Sequence, residues 1–472
     1  MLFSRQTFLV AGLSRSGIAA GEYLRSKGAE VYVFDDVENE NILAAETALS
    51  SKGCHVIHKE QLTEGSEKCD ILVLSPGIPV DHPLAVSFKR AGKRVIGEAE
   101  LGAQGLRCPC VAVTGTNGKT TTVAMIEGIL KATGKNALAC GNVGRPITSC
   151  LTELGEDGVA VAEISSFQLE TLYSLRPHVA VVLNVTEDHL NRHYNMENYV
   201  FLKSRILKNS AESEYAVLNY DDPIVRGFAE KSKAKVVWFS TREQVDGGYL
   251  EDGWFCYRGE KLFPESELPI GGDHNRANAL AAICACKLMG TGNASITAAL
   301  KSFRGVKHRI EKVGELAGVT FIDDSKATNV DSAIKAIGSV KGETVILLGG
   351  KDKGYVYEPL FDAIKDSGVV HAVIYGENAF RILNSALKKG FTAVTLCRPF
   401  DMAVRVAFLT AKRGQNVLLS PASASFDSFK SYEERGDRFA ELMNVLAHEI
   451  EHGKSEEALV MEEEIDGEET IG

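Results

Sequence analysis

Residues 110–122, CVAVTGTNGKTTT, constrain the fold more than any other stretch of the 472-residue chain. A short apolar run ends in Gly115, and Gly118 stands directly before Lys119, Thr120 and Thr121, where a helix-forming run begins and continues to about Thr133. A buried strand turning at once into a helix sets the helix N-terminus, with its unpaired amides, at the carboxyl edge of a parallel sheet. Such an edge suits a phosphate. The common loop G-x-x-x-x-G-K-[ST] needs a first glycine five residues before Gly118, and Val113 stands there. Spacing alone leaves a phosphate loop and a plain glycine turn both open. The strand-to-helix setting favours the loop, with Lys119 facing the outer phosphates and Thr120 offering a hydroxyl to magnesium. Gly115, Thr116, Asn117, Gly118, Lys119, Thr120 and Thr121 are therefore the expected phosphate cradle.

The same alternation of strand and helix runs on both sides of this loop and predicts an α/β protein. A chain of 472 residues is too long for one core and suggests about two to four domains. TFLVAG (7–12), EVYVFDD (30–36) and DILVLSPGIP (70–79) read as strands of a first unit, with a helix at 16–28. The pattern breaks around 99–109. A second unit carries strands at 110–115, 159–165, 178–185 and 215–222 and helices at 275–290 and 294–303. A third begins near GVKHRIEKV (305–313) and adds the strands VTFIDDS, TVILLGG, HAVIYG, TAVTLC and NVLLSPA. The expected domains are 1–98, 99–304 and 305–450, followed by a tail.

Composition excludes several functions. From Lys454 to Gly472 eight acidic residues face one lysine, so seven of the eleven net negative charges sit in this stretch, for which a solvated, disordered extension is expected. The remainder carries no basic stripe, which argues against nucleic acid. No apolar run approaches the roughly 18 residues of a membrane span. Phe8 to Leu13 is apolar, but Arg15 follows and no small-residue cleavage site appears, so a first strand is the reading. The ten cysteines show no C-x-x-C pair. Free, mostly buried thiols in a cytoplasmic protein are expected.

Two sites attract rival readings. In GLSRSG, Gly12 and Gly17 match the ends of the dinucleotide fingerprint G-x-G-x-x-G, but Ser14 replaces the middle glycine. With Asp35 and Asp36 ending the next strand, a nicotinamide oxidoreductase stays conceivable, as does a nucleotide-dependent switch that makes no bond. After the phosphate loop, Glu163 and His189 end successive strands, where a parallel sheet delivers catalytic groups. Lys203 follows in LKSRIL (202–207) and, taken alone, reads as a solvated surface lysine.

TGTNGKTTT, AEISSFQLE, NVTEDHLNRH, LKSRIL, HNRANALAA, VKHRIE, DDSKATN, LLGGKDKG and LLSPASASFDSFKSYEERG occur in that order. Over residues 1 to about 450 this series resembles the Mur ligases, ATP-dependent enzymes that form amide bonds in peptidoglycan precursor synthesis. The last block, with SPGI and GLSRSG, is similar to the branch that joins D-glutamate to UDP-N-acetylmuramoyl-L-alanine. A sister ligase using another amino acid, or a folylpolyglutamate synthase, is the nearest rival.

The resemblance implies three domains: a Rossmann-like N-terminal one, a P-loop ATPase-like central one and a Rossmann-like C-terminal one. It implies ATP and two magnesium ions, with Glu163 joining Thr120 on one ion and His189 and a carbamylated Lys203 serving the other. Asn278, Arg309 and Asp324 match ATP contacts. Ser14, Arg15, Ser16, Asp35, Asp36, Ser75 and Gly77 match the uridine diphosphate pocket, and Asn142 and His189 match contacts further along that substrate. Lys326, Thr328, Lys353, Ser425 and Tyr432 match the D-glutamate pocket; Lys351 and Lys353 both stand open as its contact. Lys119, Glu163, His189, Lys203 and Lys326 would be catalytic, through an acyl phosphate that the amine of D-glutamate attacks. A monomer without nucleic acid or membrane insertion is expected.

Overall fold

Short runs of β-branched and aliphatic residues become the strands of three sheets, each apolar on both faces as parallel sheets require. The computed structural model describes residues 3–142, 144–352 and 354–453; Lys353 and the tail 454–472 lie outside the described residues. Two compact units result, Met1–Arg304 and Gly305–Gly472.

The first unit opens with β1 (Thr7–Ala11), β2 (Glu30–Phe34), β3 (His55–Val56), β4 (Ile71–Leu74) and β5 (Arg94–Gly97). They form an all-parallel sheet in the order β3-β2-β1-β4-β5. The order reverses between β1 and β4, and the crevice at such a reversal is where doubly wound sheets bind ligands. Gly12 and Ser75 lie there. A Cβ on Gly17 would sit 1.8 Å from the Gly12 carbonyl oxygen, so glycine at 17 lets helix Arg15–Ser26 close onto the loop.

A second sheet in the same unit contains β6 (Cys110–Thr114), β7 (Ala137–Gly141), β8 (Val159–Glu163), β9 (Val179–Val182), β10 (Tyr215–Asn219), β11 (Lys235–Ser240), β12 (Gly247–Glu251), β13 (Trp254–Tyr257) and β14 (Glu260–Pro264). Its order is β14-β13-β12-β11-β10-β9-β6-β8-β7. Only the β12–β13 and β13–β14 pairs are antiparallel. Strands β11 to β14 fill a stretch for which the sequence suggests no element, because runs such as GGYLE and EKLFP alternate too weakly to stand out. Helices Lys119–Ala132 and Asp273–Leu288 pack on one face, over a core that includes Val113, Ile126, Ile129, Val181 and Ala282.

Residues 99–109 are not the interruption that their polarity suggests. Helix Glu98–Gly105 starts directly after β5 and buries both of its glutamates. One Glu98 carboxylate oxygen accepts from the Thr148 amide (2.7 Å) and hydroxyl (2.8 Å). Glu100 accepts from the amides of Tyr173 (2.7 Å) and Ser174 (2.8 Å). These carboxylates fasten the first sheet's last helix to helix Ile147–Leu154 and to the 173–174 loop of the second, so polar residues build a joint rather than a linker. Burial pushes the Glu98 carboxyl up to about 7.

The second unit holds β15 (Glu311–Leu316), β16 (Val319–Asp323), β17 (Thr344–Gly349), β18 (Val369–Tyr375), β19 (Val394–Leu396) and β20 (Asn416–Leu419), in the order β15-β16-β20-β17-β18-β19. All pairs are parallel except β15–β16. All ten cysteines are free thiols, eight of them buried. Among the described residues no helix is long and apolar enough to cross a membrane.

Candidate active site

The centre of the second sheet fixes the phosphate loop. Strand β6 lies between β8 and β9, and all three deliver their carboxyl ends to one edge. Gly118 has φ 86° and caps helix Lys119–Ala132, with no side chain bonded to the cap. The helix amides thus keep the arrangement that attracts an anion. A Cβ at 118 would fall 2.2 Å from Asn278 Oδ1, so the loop and the buried Asn278 share one small space. Gly118→Ala is expected to cost roughly 1–2 kcal/mol for the left-handed backbone alone, read as a lower unfolding midpoint, and to weaken ATP binding by displacing Asn278.

Asn184, just past β9, holds the loop from the other side. Its Oδ1 accepts from the Asn117 amide (2.8 Å), its Nδ2 donates to the Asn117 carbonyl (3.1 Å) and its carbonyl accepts from the Thr116 amide (2.9 Å). The hydroxyls of Thr116 and Tyr199 are hydrogen-bonded at 3.1 Å. Lys119 donates to the carbonyls of Gly115 and Thr116, both at 2.9 Å. Thr120 and Thr121 follow in the first turn, half-buried.

Lys203 is 1% exposed, contrary to the surface position that its sequence neighbourhood suggests. Its Nζ donates to the same Gly115 carbonyl (2.8 Å) and lies 4.7 Å from the centroid of the Tyr199 ring. Burial first, then the charge of Lys119, holds its ammonium pKa well below the usual lysine range, against the pull of Asp188 and Glu163. Such a placement favours the neutral amine over the ammonium. Glu163, ending β8, is 2% exposed. One of its oxygens accepts from Asn142 Nδ2 (2.9 Å), while the other is buried and has no hydrogen-bond partner among the described residues. A desolvated carboxylate oxygen left over in this way is costly unless a cation completes it. The buried Glu163 oxygen, at the sheet edge that carries the phosphate loop, fits a divalent cation. His189 has a more exposed side chain; φ is 54°, and its ring lies 4.8 Å from Phe167.

At the first sheet's crevice, Asp35 turns both oxygens to backbone, accepting from the amides of Leu13 (2.6 Å) and Val37 (2.9 Å). It shapes the GLSRSG loop. Asp36 instead pairs with His82 (3.4 Å). The hydroxyls of Ser14 and Ser75 are 3.3 Å apart, Arg15 reaches the Gly144 carbonyl at 3.5 Å, Ser16 is half-buried and Gly77 is exposed.

The second unit gathers its own set at the carboxyl ends of β16, β17 and β20. Asp324 is 5% exposed and accepts from Ser420 Oγ (2.8 Å) and the Ile310 amide (3.3 Å). Burial raises its carboxyl to about 7, opposed by Ser420 and then Arg309. The Lys326 ammonium stands 6.0 Å from the Tyr432 ring centroid. Thr328 donates its amide to the Lys326 carbonyl (2.8 Å), and Ser425 is buried. Lys351 pairs with Glu377 at 2.7 Å.

Three family descriptions fit consecutive parts of the chain. Residues 6–97 match the N-terminal domain of MurD-like Mur ligases, 113–286 the Mur ligase middle domain and 308–423 the glutamate ligase domain of Mur ligases. The chain is 41% identical over 454 residues to the UDP-N-acetylmuramoylalanine–D-glutamate ligase of Pelotomaculum thermopropionicum, covering 93% of this chain and 98% of that one. The chain belongs to the Mur ligase family. It is also 38% identical over 441 residues to the enzyme of the same name from Streptococcus mutans, covering 93% and 96%. The solved UDP-N-acetylmuramate-alanine ligase of Thermotoga maritima shares the fold, with TM-score 0.58 at 19% identity over 93% of this chain and 99% of that one. The three-domain architecture of the Mur ligases accounts for the three sheets.

Several residues that support these loops are not singled out by the sequence, although Asn184 and Arg435 lie within the blocks NVTEDHLNRH and LLSPASASFDSFKSYEERG. Asn184 and Tyr199 hold the loop, and Arg435, fully buried, donates to Ser325 Oγ (3.0 Å) and to the carbonyls of Ser325 (2.9 Å) and Ser423 (3.0 Å). Asn378 donates to Tyr357 Oη (2.6 Å) and Ser423 Oγ (2.8 Å) and accepts from the Gly350 amide (3.0 Å). The available signal was position: each lies within a few residues of a strand's carboxyl end or at a helix start.

Proposed function

We propose that this chain is an ATP-dependent ligase that adds D-glutamate to UDP-N-acetylmuramoyl-L-alanine in peptidoglycan precursor synthesis. The observation that carries the reaction class is the buried, half-satisfied Glu163 beside an uncapped phosphate loop and a buried Lys203. The names of relatives about 40% identical over nearly their whole length support the amino acid.

In this reading the domains are 1–98 for the uridine diphosphate part, 99–304 for ATP and 305–450 for D-glutamate. Ser14, Arg15, Ser16, Ser75 and Gly77 line the nucleotide-sugar crevice, with Asp35 shaping it, Asp36 at its edge and Asn142 toward the acyl end. Lys119, the amides of 116–121 and Asn278 hold ATP in the first unit, and Arg309 and Asp324 in the second match ATP contacts of the family. Thr120, Glu163, His189 and a carbamylated Lys203 would hold two magnesium ions, which supply charge neutralisation between anions that otherwise repel one another. The substrate carboxylate becomes an acyl phosphate, and the D-glutamate amine displaces phosphate from it. Lys326, Thr328, Ser425, Tyr432 and either Lys351 or Lys353 match the charge and hydroxyl donors that a dicarboxylate amino acid needs. We take the protein to be a cytoplasmic monomer.

The test is phosphate release with ATP, magnesium and UDP-N-acetylmuramoyl-L-alanine against a panel of amino acids. D-glutamate should stimulate release well above L-alanine, L-lysine or meso-diaminopimelate. Equal stimulation by another of these would reassign the substrate.

A further inference from the structure

The turn Leu190–His193, bounded by left-handed residues His189 and Tyr194, faces the first sheet's SPGIP loop. Arg192 grips both sides. Its Nε and Nη2 donate to the two carboxylate oxygens of Glu170 (3.1 and 2.5 Å), Nη2 also donates to the Ile78 carbonyl (3.0 Å) and Nη1 to that of Gly77 (3.4 Å). The guanidinium carbon lies 5.0 Å from the centroid of the Phe167 ring, the same ring that packs on His189. Arg192 and Glu170 are largely buried, at 13% and 7% side-chain exposure. Tyr194 adds a hydroxyl hydrogen bond to Asp81, at the far end of the same loop.

Geometry of this kind is specific. Only a planar, bidentate cation satisfies a carboxylate and two carbonyls at once, and the two carbonyls belong to the loop that carries Ser75 and Gly77. Ser75 is tied independently to the first sheet and its loop, its amide donating to the Ala11 carbonyl (2.9 Å) and its hydroxyl lying 3.3 Å from that of Ser14. We propose that Arg192, braced by Glu170, is a positioning residue that fixes the nucleotide-sugar loop against the His189 turn. It thereby sets the span between the bound uridine diphosphate and the carboxylate that is phosphorylated. The inference rests on the substrate reading above, because the span matters only for a substrate that reaches from one site to the other.

The test compares wild type with Arg192→Lys and Arg192→Ala by three readouts. Binding of uridine diphosphate alone, by titration calorimetry, should stay within about threefold, since Ser75 keeps its own anchors. Phosphate release with the full substrate should show kcat/KM lowered about a hundredfold in Arg192→Ala, the scale expected for a misplacement near 1 Å. Arg192→Lys should recover little of this, because an ammonium lacks the fork. Amide hydrogen exchange in residues 77–82 should accelerate in both variants. Unchanged kcat/KM, or a loss matched by equal weakening of uridine diphosphate binding, overturns the proposal. If wild type itself shows no D-glutamate-dependent turnover, the substrate reading fails. The clamp is then judged by exchange alone: slow exchange in wild type and fast exchange in both variants upholds it, and equal exchange overturns it.

Discussion

Lys203→Ala is expected to lower kcat roughly a hundredfold to a thousandfold, the scale of losing one preorganised charge-stabilising group. Partial activity should return on adding acetate or propionate. An ammonium at 1% exposure, sharing the Gly115 carbonyl with Lys119, is disfavoured in its charged form. The neutral amine would add carbon dioxide and release a proton, giving beside Glu163 a carbamate anion able to ligate a metal. A short carboxylate diffusing into the space left by alanine offers the same two oxygens. Lys203→Arg should not be rescued by raising bicarbonate, because a guanidinium cannot lose its proton. Lys203→Met separates packing from chemistry: it fills the site and contacts the Tyr199 ring, yet offers no amine. Wild-type turnover in Lys203→Met would sink the carbamate and leave Lys203 a packing residue.

Lys203 is hard to read from sequence. Helix Met196–Ser204 has mixed polarity, and of its residues only Tyr199 and Lys203, four apart on one face, are buried. Local pattern cannot distinguish a lysine turned toward a phosphate loop from one turned to water, since the deciding contacts lie 80 or more positions upstream. The loop itself was legible because its signal is local: apolar strand, glycine, lysine and threonine in a row. Glu163 was legible for a related reason, standing at the last position of an apolar run. The joint at Glu98 and Glu100 reads as a break, since charged residues buried on specific amides look like surface ones in a string of letters. Of the strands that escape, β14 and β15 are sheet edges, weakly apolar and partly solvated, whereas KVVWFS of β11 and WFCY of β13 are short apolar runs inside the sheet. Neither Arg192 nor Asn378 has a spacing rule, because both act by joining backbone carbonyls or amides whose proximity only the fold creates.

Glu163→Gln is expected to raise the magnesium concentration for half-maximal activity at least tenfold, and to lower kcat at saturating ATP, in line with the roughly 10–100-fold effects of disturbing a metal's protein environment. The substitution is nearly isosteric. An amide oxygen can still accept from Asn142 Nδ2, as one Glu163 oxygen does at 2.9 Å, so the Asn142 loop should keep its position. What changes is the other end, where a buried oxygen without a partner among the described residues becomes part of an amide that cannot ligate as an anion. A second readout does not depend on turnover. Magnesium with ATP should raise the unfolding midpoint of wild type through preferential binding to the folded state. That shift should shrink in Glu163→Gln, while the midpoint without ligand stays within a few degrees. If Glu163 served only the fold, the ligand-free midpoint would fall and the magnesium dependence would not move. An unaltered magnesium requirement would remove Glu163 from the metal site and leave its unsatisfied oxygen to be explained by the Asn142 loop alone.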